Sequence, residues 1–524
     1  MVNQPNRLAK GSAMTLIVTL LTSCMVGPNY VRPKVVGPHE FKEAKGKMVA
    51  GPIRKNWKPI EPQDEMDRGE WWKLFNDPVL NDLEDQLNHY NQNIVNAEAN
   101  YRQSLAIVNE ARASLFPTIT SAFNIFRQRQ GGGSTSFIST SGGTTSVGTA
   151  STGSGTTAST ITNYTGILNA TWEPDIWGLV RRTIEADRSL AESNAALIGV
   201  TRLSAQGSLA QYYFELRTLD KNQHFLDETV KSYKGILRFT KNQYRSGVVS
   251  QADVVQAESQ LETAQAAALN NGILRGQYEH AIAVLIGRPP AFLSLKNMPL
   301  TAKAPTIPLT VPSVWLERRP DVAQAERLVQ QASAQIGVAV AAYFPTLTLT
   351  SSGSASANSF HRLIHKPNLG WSMGLQVAET IFDGGLRAAT VCAAKQAYLA
   401  QVASYRQVVL TAFQDVEDNL IALRILRQQS VFQDKAAAHA RLALKLVVNQ
   451  YKAGTVPYSN VLTAQVTAFS AQQSANNVDG LQMSAAVGLI KSLGGGWVSK
   501  PVKIKGRKIC VVKKNCGRRT HEKS

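Results

Sequence analysis

The sequence predicts a mixed α and β membrane protein in which two similar halves each carry a short β-hairpin and a long coiled-coil hairpin. Three observations predict it. First, the chain is duplicated: NIVNAEANYRQSLAIVNEARASLFPT, from Asn93, matches DVAQAERLVQQASAQIGVAVAAYFPT, from Asp321, and NQYRSGVVSQADVVQAESQ, from Asn242, matches NQYKAGTVPYSNVLTAQVT, from Asn449. Second, residues 386–453 contain neither Gly nor Pro, while Tyr398, Val402, Tyr405, Val409, Phe413, Val416, Leu420 and Leu423 recur at spacings of three and four, the period of a helix with one apolar stripe. Third, Trp371, Met373, Leu375 and Val377 alternate with Ser372, Gly374 and Gln376, the period-two pattern of a strand with one apolar face.

The N-terminus sets the compartment. Two positive charges in MVNQPNRLAK precede the uncharged apolar run GSAMTLIVTLLTS and then Cys24, so residues 1–23 read as a secretory signal too short to remain as a membrane helix. Leu21-Thr22-Ser23-Cys24 resembles a bacterial lipobox, which makes Cys24 the lipidated first residue of the mature chain. Met25 follows in place of aspartate, and in bacterial lipoproteins that implies sorting to the outer membrane.

The remaining segments follow in order: an anchored N-terminal stretch over 24–75, a first repeat over 76–285, a linker over 286–316, a second repeat over 317–494, and a basic tail over 495–524. Each repeat carries a β-hairpin, at 116–173 and 344–379. The first hairpin holds a Gly/Ser/Thr/Ala stretch from Gly131 to Thr160 that cannot build a core and reads as a flexible exposed loop. Helices of about seventy residues follow in both halves, on the order of 100 Å long at about 1.5 Å per residue. Gly247 and Gly454 sit where a left-handed C-cap ends a helix, Ser250-Gln-Ala-Asp253 reads as an N-cap with a first-turn acid, and Pro457 suits the first turn of its counterpart. The bends near 247 and 454 are therefore the tips of two helical hairpins.

Charge and chemistry exclude other classes. The formal net charge is +19, but Lys500 to Ser524 hold ten Lys or Arg against Glu522 alone, and no aromatic-interleaved basic patch supports nucleic-acid binding. No phosphate-binding loop, zinc-protease helix or calcium loop occurs. His361 and His365 have helical metal spacing but fall in a short external loop with no third ligand, so no catalytic residue, metal or cofactor is expected. Cys392 reads as a small buried residue, and Cys510 and Cys516 are close enough in sequence to pair in an oxidising periplasm.

Four strands cannot close a membrane barrel, which needs at least about eight with no open edge in lipid. Three copies give a trimeric, 12-stranded outer-membrane β-barrel continuous with a long periplasmic α-helical barrel. Here the chain resembles a known family, the TolC-like outer-membrane efflux channels, in the lipid-anchored branch serving multidrug pumps. The resemblance rests on Cys24-Met-Val-Gly-Pro-Asn-Tyr-Val-Arg-Pro, Trp71-Trp72-Lys73-Leu74-Phe75-Asn76-Asp77-Pro78-Val79-Leu80, Ile286-Gly287-Arg288-Pro289-Pro290 and Glu317-Arg318-Arg319-Pro320-Asp321.

That resemblance implies a homotrimer in outer-membrane lipid with a large periplasmic part and an equatorial belt containing the 286–316 linker. It implies passive conduction of drugs or other small toxic compounds, with a periplasmic adaptor and a proton-driven inner-membrane pump as partners. Ser246, Gly247, Val248, Ala453, Gly454 and Thr455 become the adaptor contacts. In the family, tip residues latch the periplasmic gate; Tyr451 and Asp253 match two of them, with a hydrogen bond expected between them. Asp253 has an equal alternative as a first-turn acid that stabilises its helix by ~0.3–1 kcal/mol. The family's paired pore aspartates fall on Asn460 and Thr463 and its latch arginine on Val456, so an acidic pore ring is not expected here. Two further readings stand beside efflux: an exit duct for type I protein secretion, and a structural coiled-coil surface lipoprotein that would have no strands.

Overall fold

A computed structural model of the chain describes residues 25–35, 41–44, 69–130, 136–141, 144–149, 159–302, 304–305 and 319–495. Cys24, the signal segment, Glu317, Arg318, Cys510, Cys516 and the basic tail lie outside the described residues. In chain order the elements are α1 (Pro78–Tyr90), α2 (Gln92–Ala113), β1 (Thr118–Gln130), β2 (Ser136–Ser141), β3 (Thr144–Thr149), β4 (Ser159–Trp172), α3 (Leu179–Arg245), α4 (Gln251–Leu285), α5 (Pro320–Ala341), β5 (Thr346–Ala357), β6 (Leu369–Ala378), α6 (Leu386–Lys452) and α7 (Tyr458–Ser492). No described helix is long and apolar enough to cross a membrane.

The chain divides into two units. The first contains residues 25–31, Ser104–Ser189 and Gln330–Leu399, and holds a four-stranded antiparallel sheet in the order β1-β4-β5-β6. Its strands rule out the strandless surface-lipoprotein reading. The register Phe123↔Gly166, Gly166↔Ala355, Leu168↔Gly353 and Gly353↔Trp371 places Ile119, Phe123, Ile125, Leu168, Leu349, Leu375 and Trp371 on one face, because cross-strand partners share a side. Thr120, Asn124, Asn169, Thr348, Ser352 and Gln376 lie on the other. Trp371 is 84% exposed and Met373 79%, so the described residues leave this part of the apolar face uncovered. Within the stretch read as a featureless loop, β2 pairs with β3 through Phe137↔Gly148 and Ile138↔Val147, a short hairpin that the small-residue composition concealed.

Where the sheet meets its helices, Trp172 Nε1 donates to the Leu115 carbonyl at 3.0 Å and Trp177 Nε1 to the Pro345 carbonyl at 2.8 Å. Trp177 also stacks on Phe344 at 4.8 Å. The segment following Cys24 is held by Arg182, whose buried guanidinium donates to the carbonyls of Val26 and Gly27 and to Asn29 Oδ1. Gly27 takes φ +92° against Gly337, a contact too close for any side chain.

The second unit contains Arg32–Gln103, Leu190–Val329 and the chain from Ala400 onward, and is helical. Here the sequence motifs acquire physical reasons. Asp77 caps α1 by accepting from Val79 and Leu80 N–H at 2.9 and 3.3 Å, with Pro78 at the first helical position where no donor is required. Trp71, Trp72 and Phe75 are buried in the same core as Leu80, Leu87, Tyr213 and Phe214. Glu84 is fully buried there, and burial pushes its carboxyl well above the ordinary carboxylate range. Gly287, at φ +72°, lies against the Tyr90 carbonyl oxygen, so the Ile286-Gly287-Arg288 turn admits no Cβ. Arg319 explains the Arg-Pro-Asp motif: it pairs with Asp321 at 2.6 Å and Asp415 at 3.2 Å and donates to the Ser492 carbonyl at 2.9 Å.

Asp220 ties the inter-repeat segment to α3 and α4. Its fully buried carboxylate accepts from Arg217 at 3.1 Å, Arg275 at 2.7 Å and the Met298 N–H at 3.0 Å. The two arginines reach on to the carbonyls of Lys296 and Leu295. The apolar stripe of α6 is buried at Val402, Tyr405, Val409, Val416, Leu420 and Leu423, and Phe413 is half-buried.

One expectation fails outright. Cys392 is exposed, not buried, because this first stretch of α6 presents mostly exposed side chains that no other described residues cover. Replacing Asp220 with alanine takes from the buried Arg217 its only carboxylate among the described residues, while the half-buried Arg275 keeps Glu279, and should lower stability by about 3 kcal/mol. A fall in the thermal midpoint of purified protein, larger than for Asp220→Asn, checks it.

Candidate periplasmic gate and hairpin tips

Both helical hairpins turn in the same way. In the first, Gly247 N–H donates to the Tyr244 carbonyl at 2.9 Å and Val248 N–H to the Gln243 carbonyl at 2.9 Å; in the second, Gly454 N–H donates to Tyr451 and Thr455 N–H to Gln450, both at 3.0 Å. This crossed pair of bonds is a Schellman motif, which requires a left-handed residue at its corner. Gly247 at φ +73° and Gly454 at φ +75° supply it. Ser246, Gly247, Val248, Ala453, Gly454 and Thr455 are all exposed, with Val248 an apolar residue at 66%.

The helices leaving the tips start differently. Ser250 and Asp253 form a reciprocal capping box: Ser250 Oγ accepts from Asp253 N–H at 3.3 Å, while Asp253 Oδ2 accepts from Ser250 N–H at 3.1 Å and from its hydroxyl at 2.9 Å. Pro457 is the N-cap of α7, one position earlier than the first-turn place expected for it, and offers no side-chain cap. At the end of α6, Thr455 adds a second bond, from Oγ1 to the Gln450 carbonyl at 3.0 Å.

The hydrogen bond expected between Tyr451 and Asp253 is not made within the chain. Tyr451 is 3% exposed, and its hydroxyl pairs with Thr240 Oγ1 at 3.0 Å, while Thr240 donates onward to the Ile236 carbonyl. Asp253 is occupied by its own helix start. Phe239 and Tyr458 flank the Tyr451 ring, both at 5.7 Å between centroids, in a small core with Ile236, Ala257 and Val461. Burial raises the Tyr451 hydroxyl above its ordinary range, offset by the Thr240 bond. Burial pushes Tyr458 up to about 12. Both rings therefore stay neutral at physiological pH, and this cluster carries no charge switch.

Asn460 and Thr463 are exposed and lie three residues apart, on one face of α7. Thr463 spends its hydroxyl proton on the Ser459 carbonyl at 3.1 Å. Sequence reading found the turns but missed Thr240 and Tyr458. The duplication carried a signal for both: Thr240 aligns with Val447 and Tyr458 with Gln251, so polarity and size change between halves at the positions that seat Tyr451. Among the described residues no cluster of three or more metal-ligating side chains occurs, and His361 and His365 stand with ring centroids 6.0 Å apart in the exposed loop.

The pyoverdine export outer membrane protein OpmQ of Pseudomonas putida is 30% identical, aligned over 82% of this chain and 88% of its own. The probable outer membrane lipoprotein SilC of Salmonella typhimurium is 25% identical over 92% of this chain and 97% of its own. The solved open state of the Neisseria gonorrhoeae MtrE outer membrane channel superposes with a TM-score of 0.72 at 26% identity, covering 90% of this chain and 98% of that one. The family model described as outer membrane efflux protein matches residues 83–288 and 311–495, and the chain belongs to that family: it is an outer-membrane efflux channel protein.

Proposed function

We propose that three copies of the chain form one conduit, with a 12-stranded barrel in the outer membrane and a helical tube in the periplasm, and that it passively carries small toxic compounds delivered by a periplasmic adaptor and a proton-driven inner-membrane pump. The observation that carries this reading is the sheet. Among the described residues its outer strands β1 and β6 each leave one edge unpaired, and one face is apolar and exposed. Lipid tolerates such a face but not open edges, and β6 of one copy meeting β1 of the next removes both. Lipidation at Cys24 fits this reading, since SilC is described as a lipoprotein and Arg182 holds the segment that follows Cys24. The domain order read from sequence is kept: anchored N-terminal stretch, repeat, linker, repeat, tail.

The hairpin tips are the adaptor surface. Val248 and Thr455 occupy equivalent exposed positions on two identical turns, so a trimer presents six tips of two alternating kinds. For the gate, Tyr451 and Asp253 are already committed to Thr240 and Ser250, which leaves Asn460 and Thr463 as the polar side chains of the entrance. Amides and hydroxyls hold cations far more weakly than a ring of carboxylates, so the entrance discriminates little by charge.

Photo-crosslinkers at Val248 and Thr455 in living cells should each capture an adaptor protein, identified by mass spectrometry; tips that capture none, while crosslinkers on the mid-helix surface do, would refute the assignment. In planar bilayers the wild-type channel should show weak cation preference, and Asn460→Asp with Thr463→Asp should raise it several-fold. A wild-type channel already strongly cation-selective would show that the restriction lies elsewhere.

A further inference from the structure

The two β-hairpins contain no carboxylate. From Pro117 to Trp172 and from Phe344 to Ala378 there is no Asp or Glu, and the only Lys and Arg are Arg127, Arg129, Arg362 and Lys366. All four lie towards the same end of the sheet, the end where β1 leads to β4 and β5 leads to β6. Acidic residues reappear only past the opposite end, at Glu173, Asp175, Glu379 and Asp383.

Register decides which face the arginines take. Along β1 the residues sharing a side run Ile119, Ser121, Phe123, Ile125, Arg127, Arg129, paired with Ala170, Leu168, Gly166, Tyr164, Thr162 and Thr160. Arg127 and Arg129 thus continue the apolar face outward, and both are exposed. The β5–β6 loop folds onto the same side: the Phe360 ring packs edge-on against Phe123 at 6.0 Å and against Tyr164 at 5.9 Å. That loop exposes Ile364 at 80% beside exposed Arg362 and Lys366. An apolar band, then aromatic rings, then cations without acids is the order of groups met by a lipid with its chains on the band and an anionic headgroup above it.

We propose that this end of the sheet binds a phosphate-bearing lipid of the outer leaflet, with acyl chains along the Phe123, Leu168 and Trp371 face and phosphates held by Arg127, Arg129, Arg362 and Lys366. Guanidinium groups suit phosphate because their planar forks donate two parallel bonds to its oxygens. The inference rests on the reading above that the apolar face meets lipid and that the hairpin loops lie outside the cell.

The full-length protein, reconstituted in phosphatidylcholine nanodiscs containing either bis-phosphorylated lipid A or the same lipid A stripped of both phosphates, tests it by the glycolipid retained per protein in mass spectrometry. Wild type should retain the phosphorylated form about tenfold more, given four cations near the headgroup plane. The variant carrying Arg127→Gln, Arg129→Gln, Arg362→Gln and Lys366→Gln should lose that preference. Equal retention of the two lipids by wild type, or a preference unchanged in the variant, overturns the proposal. Quenching of Trp371 emission by brominated acyl chains, read as the difference from Trp371→Phe, separates the two levels. Quenching without a phosphate preference removes only the headgroup site, whereas absence of quenching removes the lipid face and the headgroup site together.

Discussion

Everything in the proposed assembly depends on the backbone hydrogen bonds that the outer edges of β1 and β6 do not make among the described residues. In water an open strand edge is an aggregation hazard; in hydrocarbon each unsatisfied group costs several kcal/mol. A four-stranded sheet with an exposed apolar face is therefore an incomplete object, which the proposed assembly completes with identical neighbours. The exposed stretch at the start of α6, including Cys392, shares this incompleteness, since no other described residues cover the apolar and small side chains there.

The two halves are alike in sequence, yet their tips differ in packing. Both tips use the same Schellman turn, so their exposed corners are alike, yet the aromatic residue preceding the turn differs in fate. Tyr244 is 45% exposed whereas its counterpart Tyr451 is 3% exposed, seated by Thr240, Phe239 and Tyr458. The second tip is thus locked onto the first hairpin from within one chain. Tyr451 is thereby spent inside the chain, while Asn460 and Thr463 stay exposed near the start of α7.

The parts of this structure legible in the sequence are those set by local rules. Gly247 and Gly454 announced their turns because only glycine takes that backbone conformation cheaply, Ser250 announced its helix start, and Trp371 to Val377 announced a strand by alternation. What escaped depended on distant partners. The resemblance pairs Tyr451 with Asp253, whereas inside one chain Tyr451 bonds Thr240, two hundred residues away, and Asp253 bonds Ser250, three residues away. Asp220 gave no local sign of its three buried donors. The β2–β3 hairpin was invisible because its residues are those of a linker, and backbone pairing rather than apolar patterning defines it.

The central claim is that the chain acts as a closed ring of three. Native mass spectrometry of the detergent-solubilised full-length protein tests it most directly. The account predicts a homotrimer that persists until the sheet itself unfolds. A monomer that still conducts in planar bilayers would contradict it, because an open-edged sheet of four strands would then be stable in lipid.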